Sequence, residues 1–366
     1  MKNNLNNSIR RIVFWEPTLS PHKIDLVNAL KEIAPEIEVI YLSAKSVSED
    51  RKKLGWSISG FEDCIVDPSN ELIRKLLLQD IQHTFHIFSG LKGGRMFKNA
   101  LSITKKYKVK FALMSEPRAS EGIKGGLRFI HSWITERWIR HQARYIFAIG
   151  AGGIKWFRAV GYKAEKIKPF AYFISEKSYK NINLTDRNKI NIGFVGRTVK
   201  EKGFQTFLEV AERFSEDINF IVAGGEKVNS HAIENIHYYG SVKIDLVPEI
   251  LSSIDILIAP SIVKDGWCVT VSEALLSGCY IITTNKVGAS LLLYSDVIGT
   301  VVDINNPIQI TQVIKDVKQR NLLSIEMRMR RKCWALKNLS AKNGAKYLLE
   351  IISQNPTENI FFDKKV

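Results

Sequence analysis

NIGFVGRTVKEKGFQTFLEVAERF (191–214) carries three structural signals in a row. A short apolar run ends at Gly196. A polar turn follows, with Arg197 and Lys202. The remainder sets Phe204, Phe207, Leu208, Ala211 and Phe214 at helical spacing. Apolar run, glycine turn and amphipathic helix make a βα unit, and parallel strands covered on both faces read as such continuous apolar runs. The alternation continues downstream through NFIVAGG (219–225), IHYYG (236–240), DILIAPS (255–261) and YIITTN (280–285). Upstream it is present in RIVFW (11–15), EVIYLS (38–43), HTFHIFSG (83–90), KFALMSE (110–116) and YIFAIG (145–150), with a helix over IDLVNALKEIA (24–34). Strands alternating with helices predict an α/β protein built on doubly wound parallel sheets. The polar, turn-rich EKSYKNINLTDRNKI (176–190) separates two such series. The expected domains are therefore 1–175 and 176–344, with segment 345–366 returning to the first.

The chain has 366 residues, 45% of them apolar and 25% charged. This excludes collagen-like, disordered and disulfide-stapled classes, and the length suits about two domains. Lys and Arg number 53 against 37 Asp and Glu, a net charge of +16. Residues 1–173 hold 29 of the cations and 16 of the acids, a net of +13, so the remaining 24 and 21 leave only +3. The anionic partner such a surface calls for is expected to meet the first half. Cys64, Cys268, Cys279 and Cys333 form no CxxC pair or metal-ligand cluster, as in a reduced, cytosolic protein. MKNNLNNSIRR does not read as a signal peptide, and no apolar run reaches the roughly 18 residues that span a bilayer. The expected location is cytoplasmic, peripheral on the inner face of the plasma membrane.

Two segments carry chemistry. In GFVGRTVKEKGF (193–204), Arg197 and Lys202 flank a glycine turn at a strand-to-helix junction. Arg offers a forked contact to phosphate oxygens and Lys a point charge, although pairing with Glu201 or with solvent would explain either residue alone. In APSIVKDGWCVTVSEALLSG (259–278), a strand ends at Pro260-Ser261. A loop carries Asp265, and a helix opens near Thr270 and stops at Gly278. Asp265 before that helix and Glu273 inside its first turns can grip hydroxyls of one ligand. The N–H groups at Cys268, Val269 and Thr270 face the helix entrance.

GR with Lys five residues on, then acid–Gly–aromatic leading to Glu273, resembles the glycosyltransferases of family 4, which are retaining, nucleotide-sugar-dependent enzymes of the GT-B fold. That family's loop reads E-G-F-G-x-x-x-x-E; here it reads D-G-W-C-V-T-V-S-E (265–273). The resemblance runs through roughly 190–300. It implies two Rossmann-like domains with parallel sheets facing a central cleft, the N-terminal one binding the acceptor and the C-terminal one the nucleotide sugar. It further implies that Arg197 and Lys202 neutralise the donor diphosphate without a metal, in keeping with the absence of any DxD triad. Asp265 would hold the transferred sugar and Glu273 the ribose. Gly196, Gly266, Trp267, Cys268, Val269 and Thr270 would line the donor site, and the base would lie near Gly240 and Val242. Asp265 is one methylene shorter than the family's glutamate, and Cys268 adds a side chain where the family has glycine. No cofactor is implied beyond the donor, a nucleotide diphosphate sugar; the acceptor would be a glycan or lipid-linked, as in lipopolysaccharide, O-antigen or capsule synthesis.

The first half follows the family less closely. EPTLSPHK (16–23) stands where a glycine-rich loop is usual, with His22 near a glycine position. Ser115 or Glu116 takes the place of a histidine at a later strand end. These are the acceptor-side candidates, and a capping or structural contact explains His22 and Glu116 equally well. GGLRFIHSWITERWIRHQARYIF (125–147) mixes Ile130, Trp133, Ile134, Trp138 and Ile139 with Arg128, Arg137, Arg140 and Arg144. It reads either as a core helix with a cationic outer face or as a helix lying in a membrane interface. Three rivals remain. A degenerate GT-B protein would bind nucleotide sugars without transferring them. A nucleic-acid binder would explain the charge, but no nucleic-acid motif is present. A nicotinamide dehydrogenase needs GxGxxG after a strand, which FAIGAGGIKWF (147–157) only approximates.

Overall fold

The computed structural model describes residues 9–53, 56, 60–180, 189–214, 218–225 and 235–353. The chain divides into two compact units. The first runs to Ala171, apart from Lys53–Trp56, and resumes at Ala341; the second consists mainly of Tyr172–Ser340. The division falls a few residues before the expected 175/176 boundary, and the return begins at Ala341 rather than at residue 345. Part of the expected linker (181–188) and the tail from 354 lie outside the described residues.

The first unit carries seven strands: β1 (Arg11–Glu16), β2 (Glu38–Ser43), β3 (Ile65–Val66), β4 (Thr84–Ser89), β5 (Phe111–Ser115), β6 (Tyr145–Ile149) and β7 (Ile167–Phe170). Their order is β3-β2-β1-β4-β5-β6-β7, and every neighbouring pair is parallel. The chain winds outward from β1 to β3, then crosses back to β4 and winds the other way. This reversal leaves a crevice at the C-terminal ends of β1 and β4. Trp15 and Phe88, on those two strands, are buried and stack at 5.3 Å. Helix α1 (Pro21–Ile33) follows β1, and its proline sits at a helix start, where a missing N–H costs nothing.

Helices α2 (Gly122–Thr135) and α3 (Arg137–Gln142) replace the single helix expected over 125–147. The chain breaks at Glu136, which ends one helix and begins the other. Its buried carboxylate is 2.7 Å from Arg118 Nη2 and accepts a 2.9 Å bond from the Tyr162 hydroxyl. α3 joins the core through Ile139 and Trp138, whereas α2 reaches it only through Phe129. Ile130, Trp133 and Ile134 of α2 are exposed, so the core-helix reading fails for this stretch.

The second unit carries β8 (Ile190–Val195), β9 (Ile218–Ala223), β10 (Ile236–Gly240), β11 (Ile256–Ala259), β12 (Tyr280–Thr284) and β13 (Gly299–Val302) in the order β10-β9-β8-β11-β12-β13, again all parallel. Its reversal lies between β8 and β11. Helix α4 (Phe204–Ala211) buries Phe204, Phe207 and Leu208 on the sheet but stops before Phe214, which packs against the core from beyond the helix end. Helix α5 (Val269–Leu276) is buried from Val271 onward. Two arginines of the following Ile325–Leu339 helix are also buried. Arg331 donates to the carbonyls of Gly278, Val297 and Leu322, and burial lowers its pKa to about 10. Arg328 pairs with Asp255 at 2.8 Å. Helix α6 (Ala341–Ile352) closes the first unit. It packs on α1, pairs Lys342 with Glu32 at 2.6 Å, and donates the Tyr347 hydroxyl to the Pro169 carbonyl at 3.0 Å.

Candidate functional site

The reversal between β8 and β11 gathers the loops that carry Gly196, Arg197, Lys202 and Asp265. Past β8, Gly196 and the exposed Arg197 begin a loop that ends in a short turn, Lys200–Lys202. Gly203 then starts α4 with a left-handed backbone, φ 72°. A β-carbon there would sit 2.0 Å from the Pro260 carbonyl oxygen, so only glycine lets the β8 and β11 loops approach this closely. That approach delivers Lys202 to Asp265. The ammonium and carboxylate form an ion pair, and the Ser261 hydroxyl donates to the same carboxylate oxygen at 3.1 Å.

The Asp265 loop is fixed from the side of β12. Asp265 N–H donates to Lys286 O at 3.0 Å, and Gly288 N–H donates to Asp265 O at 2.9 Å. Gly288 is forced: a β-carbon would lie 1.7 Å from Gly266 O. Trp267, expected to line the donor site, is enclosed instead. Its indole N–H donates to Ser272 Oγ at 2.9 Å, which makes it an anchor for the loop. Cys268 caps α5 with φ 65°, a conformation its β-carbon disfavours and a glycine would accept freely. Burial and then the Asp265 charge push its thiol up to about 12, so it stays protonated at neutral pH. The helix begins at Val269, one residue before the expected Thr270, and Gly278 follows its end with φ 81°. Glu273 is a buried carboxylate within the helix. Gly240 and Val242 stand at the end of β10, two strands from β8 and about 10 Å away at ordinary strand spacing. Gly224 N–H donates to Gly240 O at 2.7 Å, which ties the β9 and β10 loops together.

The first unit has its own cluster at the equivalent crevice. Glu16, at the end of β1, pairs with Lys23 at 2.7 Å and accepts from Ser89 Oγ at the end of β4. Burial raises the Glu16 pKa, with Lys23 opposing the shift. Of the acceptor-side candidates, Ser115 and Glu116 line a cavity of about 680 Å³ with Lys92, Arg118, Arg128 and His131. His22 is not among its lining residues. It lies in the first turn of α1, where burial and the Arg51 charge lower its pKa to about 4, so it is a neutral imidazole at pH 7.

Sequence reasoning missed Ser261, Lys286 and Gly288 as supports of Asp265, and Glu16 with Ser89. A serine after a strand end carries no signal of its own. Glu16 was legible only as part of an unusual loop.

Residues 175–333 match the family model for Glycosyl transferases group 1. An "Uncharacterized 42.6 kDa protein in cps region" of Klebsiella pneumoniae is 29% identical over 125 residues, which cover 32% of each chain, so the match spans about a third of that relative. Among solved structures, the Anabaena HepE complex with UDP superimposes with a TM-score of 0.72 at 11% identity, covering 94% of this chain and 100% of that one. A glycosyltransferase from Rickettsia africae gives 0.70 at 14% identity, with 96% and 100% covered. The lipopolysaccharide outer core galactosyltransferase WaaB gives 0.66 at 14%, with 94% and 99% covered. The fold is the two-unit α/β architecture of GT-B glycosyltransferases.

Proposed function

We propose that this protein transfers a sugar from a nucleotide diphosphate sugar to a glycan or lipid-linked acceptor, as a retaining, metal-independent hexosyltransferase of family 4 type. The observation that carries this reading is the Lys202–Asp265 ion pair at the β8–β11 reversal, where doubly wound sheets bind ligands. A diphosphate arriving there competes with Asp265 for the Lys202 ammonium and takes a second cation from the exposed Arg197. Asp265, relieved of its cation, accepts hydrogen bonds from sugar hydroxyls. Both cations then face the leaving diphosphate as its charge grows, which stabilises the transition state more than the ground state. Glu273 holds the ribose. The base reaches toward Gly240 and Val242, a distance that suits a nucleoside. The acceptor enters the first unit through the cavity bounded by Ser115 and Glu116.

A surface-polysaccharide acceptor is favoured by the relative from the cps region and by the fold shared with WaaB, and a UDP-sugar donor by the HepE complexes. The test is a panel of nucleotide sugars assayed for nucleoside diphosphate release, with and without lipid-linked acceptor and with and without chelator. Acceptor-dependent release that survives the chelator is expected. Donor binding without release under any condition would favour the degenerate binder, and full dependence on a divalent metal would overturn the cationic mechanism.

A further inference from the structure

We infer that α2 is an interfacial helix that docks this protein on an anionic bilayer. Soluble amphipathic helices turn their apolar face to the core. Here the arrangement is inverted. Ile123, Leu127, Ile130 and Ile134 recur every three or four residues on one face and are 87%, 62%, 54% and 62% exposed, with Trp133 beside them at 55%. The buried side is made of Gly125 and Ser132, with Phe129 packing partly against the core. Gly125 comes so close to the chain at Ser120 that a β-carbon would lie 2.2 Å from the Ser120 carbonyl carbon. The helix therefore rests on its small residues and presents its long ones outward. A run of large apolar side chains along one helix is not the scattered exposure of an ordinary surface.

Charge selects the occupant. Between Glu121, the N-cap of α2, and Glu165 the one acidic residue is Glu136, which is buried against Arg118. The same span holds Lys124, Arg128, Arg137, Arg140, Arg144, Lys155, Arg158 and Lys163. Arg140 lies 5.9 Å from the Trp133 ring centroid and donates to the Trp133 carbonyl at 2.5 Å, so aromatic and cation are held together beside the apolar row. A second copy of this face would set Lys124 and Arg128 against cations of its own kind, a penalty for self-association. Anionic headgroups meet the cations while the acyl boundary takes the isoleucines.

The full chain should float with vesicles of phosphatidylcholine and phosphatidylglycerol at low salt but not with phosphatidylcholine alone, and a fraction should stay bound at high salt. Replacing Ile123, Ile130 and Ile134 with Ser should lower the partition coefficient by at least roughly tenfold, the scale set by burial of one aliphatic side chain. All three are exposed, so the melting temperature should hold and separate lost docking from lost folding. Lys124→Glu should weaken binding at low salt and leave the salt-resistant fraction. Binding by the triple variant equal to that of the parent would overturn the proposal. So would equal flotation with neutral vesicles, or a parent that dimerises through this face and ignores lipid. None of these outcomes depends on the donor chemistry.

Discussion

The two units carry the same device at the same place, and the difference between them separates architecture from function. Each has a doubly wound sheet, and each sets a lysine–carboxylate pair with a serine at the strand ends where the winding reverses. In the first unit the carboxylate ends the first strand and the lysine follows on α1. In the second the lysine precedes α4, and the carboxylate comes from across the reversal. Glu16 and Lys23 are 1% and 15% exposed, Asp265 and Lys202 17% and 27%. The contrast lies in the carboxylates: Glu16 is closed to solvent and Asp265 is open to it, so only the second pair offers both partners to a ligand. The first is read as a fastener and the second as a site.

The largest effects separate these readings. Lys202→Met should cut nucleoside diphosphate release by about two to three orders of magnitude, the usual cost of removing one group that stabilises developing charge, with little change in melting temperature. Lys23→Met should do the reverse, costing about 3 kcal/mol of stability by leaving Glu16 buried without its cation. Parallel urea melts and turnover assays decide. Similar losses of rate with intact folding in both variants would collapse the distinction.

A subtler test uses pH. Glu16 has its folded pKa above the ordinary 4.5, because burial outweighs the help from Lys23. The folded state therefore holds that proton more tightly than the unfolded chain. The contribution to stability is present below about pH 4.5 and fades as pH rises through the folded value. Glu16→Gln does not titrate, so parent stability relative to this variant should decline from acid to neutral pH in urea midpoints. A difference that stays constant with pH would mean the carboxyl is not strained by burial.

The smallest expected effect falls on Cys268, in the open site. Cys268→Gly removes a β-carbon from a left-handed residue and should raise stability by about 1 kcal/mol. A lower melting temperature would show that the thiol contributes packing that outweighs the backbone cost.

The sheets were legible because parallel strands are apolar on both faces, so β1, β4, β8 and β12 stand out without any periodicity test. β7 did not, since Lys168 and Pro169 interrupt it; Pro is tolerated because β7 lies at the edge of the sheet. Arg197, Lys202, Asp265 and Glu273 were legible as a motif, yet nothing in the sequence says that Lys202 and Asp265, 63 residues apart, touch. That contact depends on Gly203 and Gly288, whose roles become visible only once the loops they admit are in place. Nothing in RMRR (328–331) signals that Arg328 and Arg331 are buried on backbone carbonyls and Asp255. For α2, periodicity defined two faces and left open which one turns outward.

The return of the chain at Ala341 also sets a timetable for synthesis. The first unit lacks α6 until the second has been made, and the 169 residues of Tyr172–Ser340 stand between Ala171 and the segment that closes it. At about 5–20 residues per second, the ribosome takes roughly 10–30 s to supply them. During that interval α1 is without the helix that packs on it, and the Pro169 carbonyl is without the Tyr347 hydroxyl. All strands of the second unit have emerged once Ser340 has, so the sheet made first belongs to the unit whose packing is finished last. A nascent chain stalled before residue 341 should be more sensitive to protease in its first unit than the released protein.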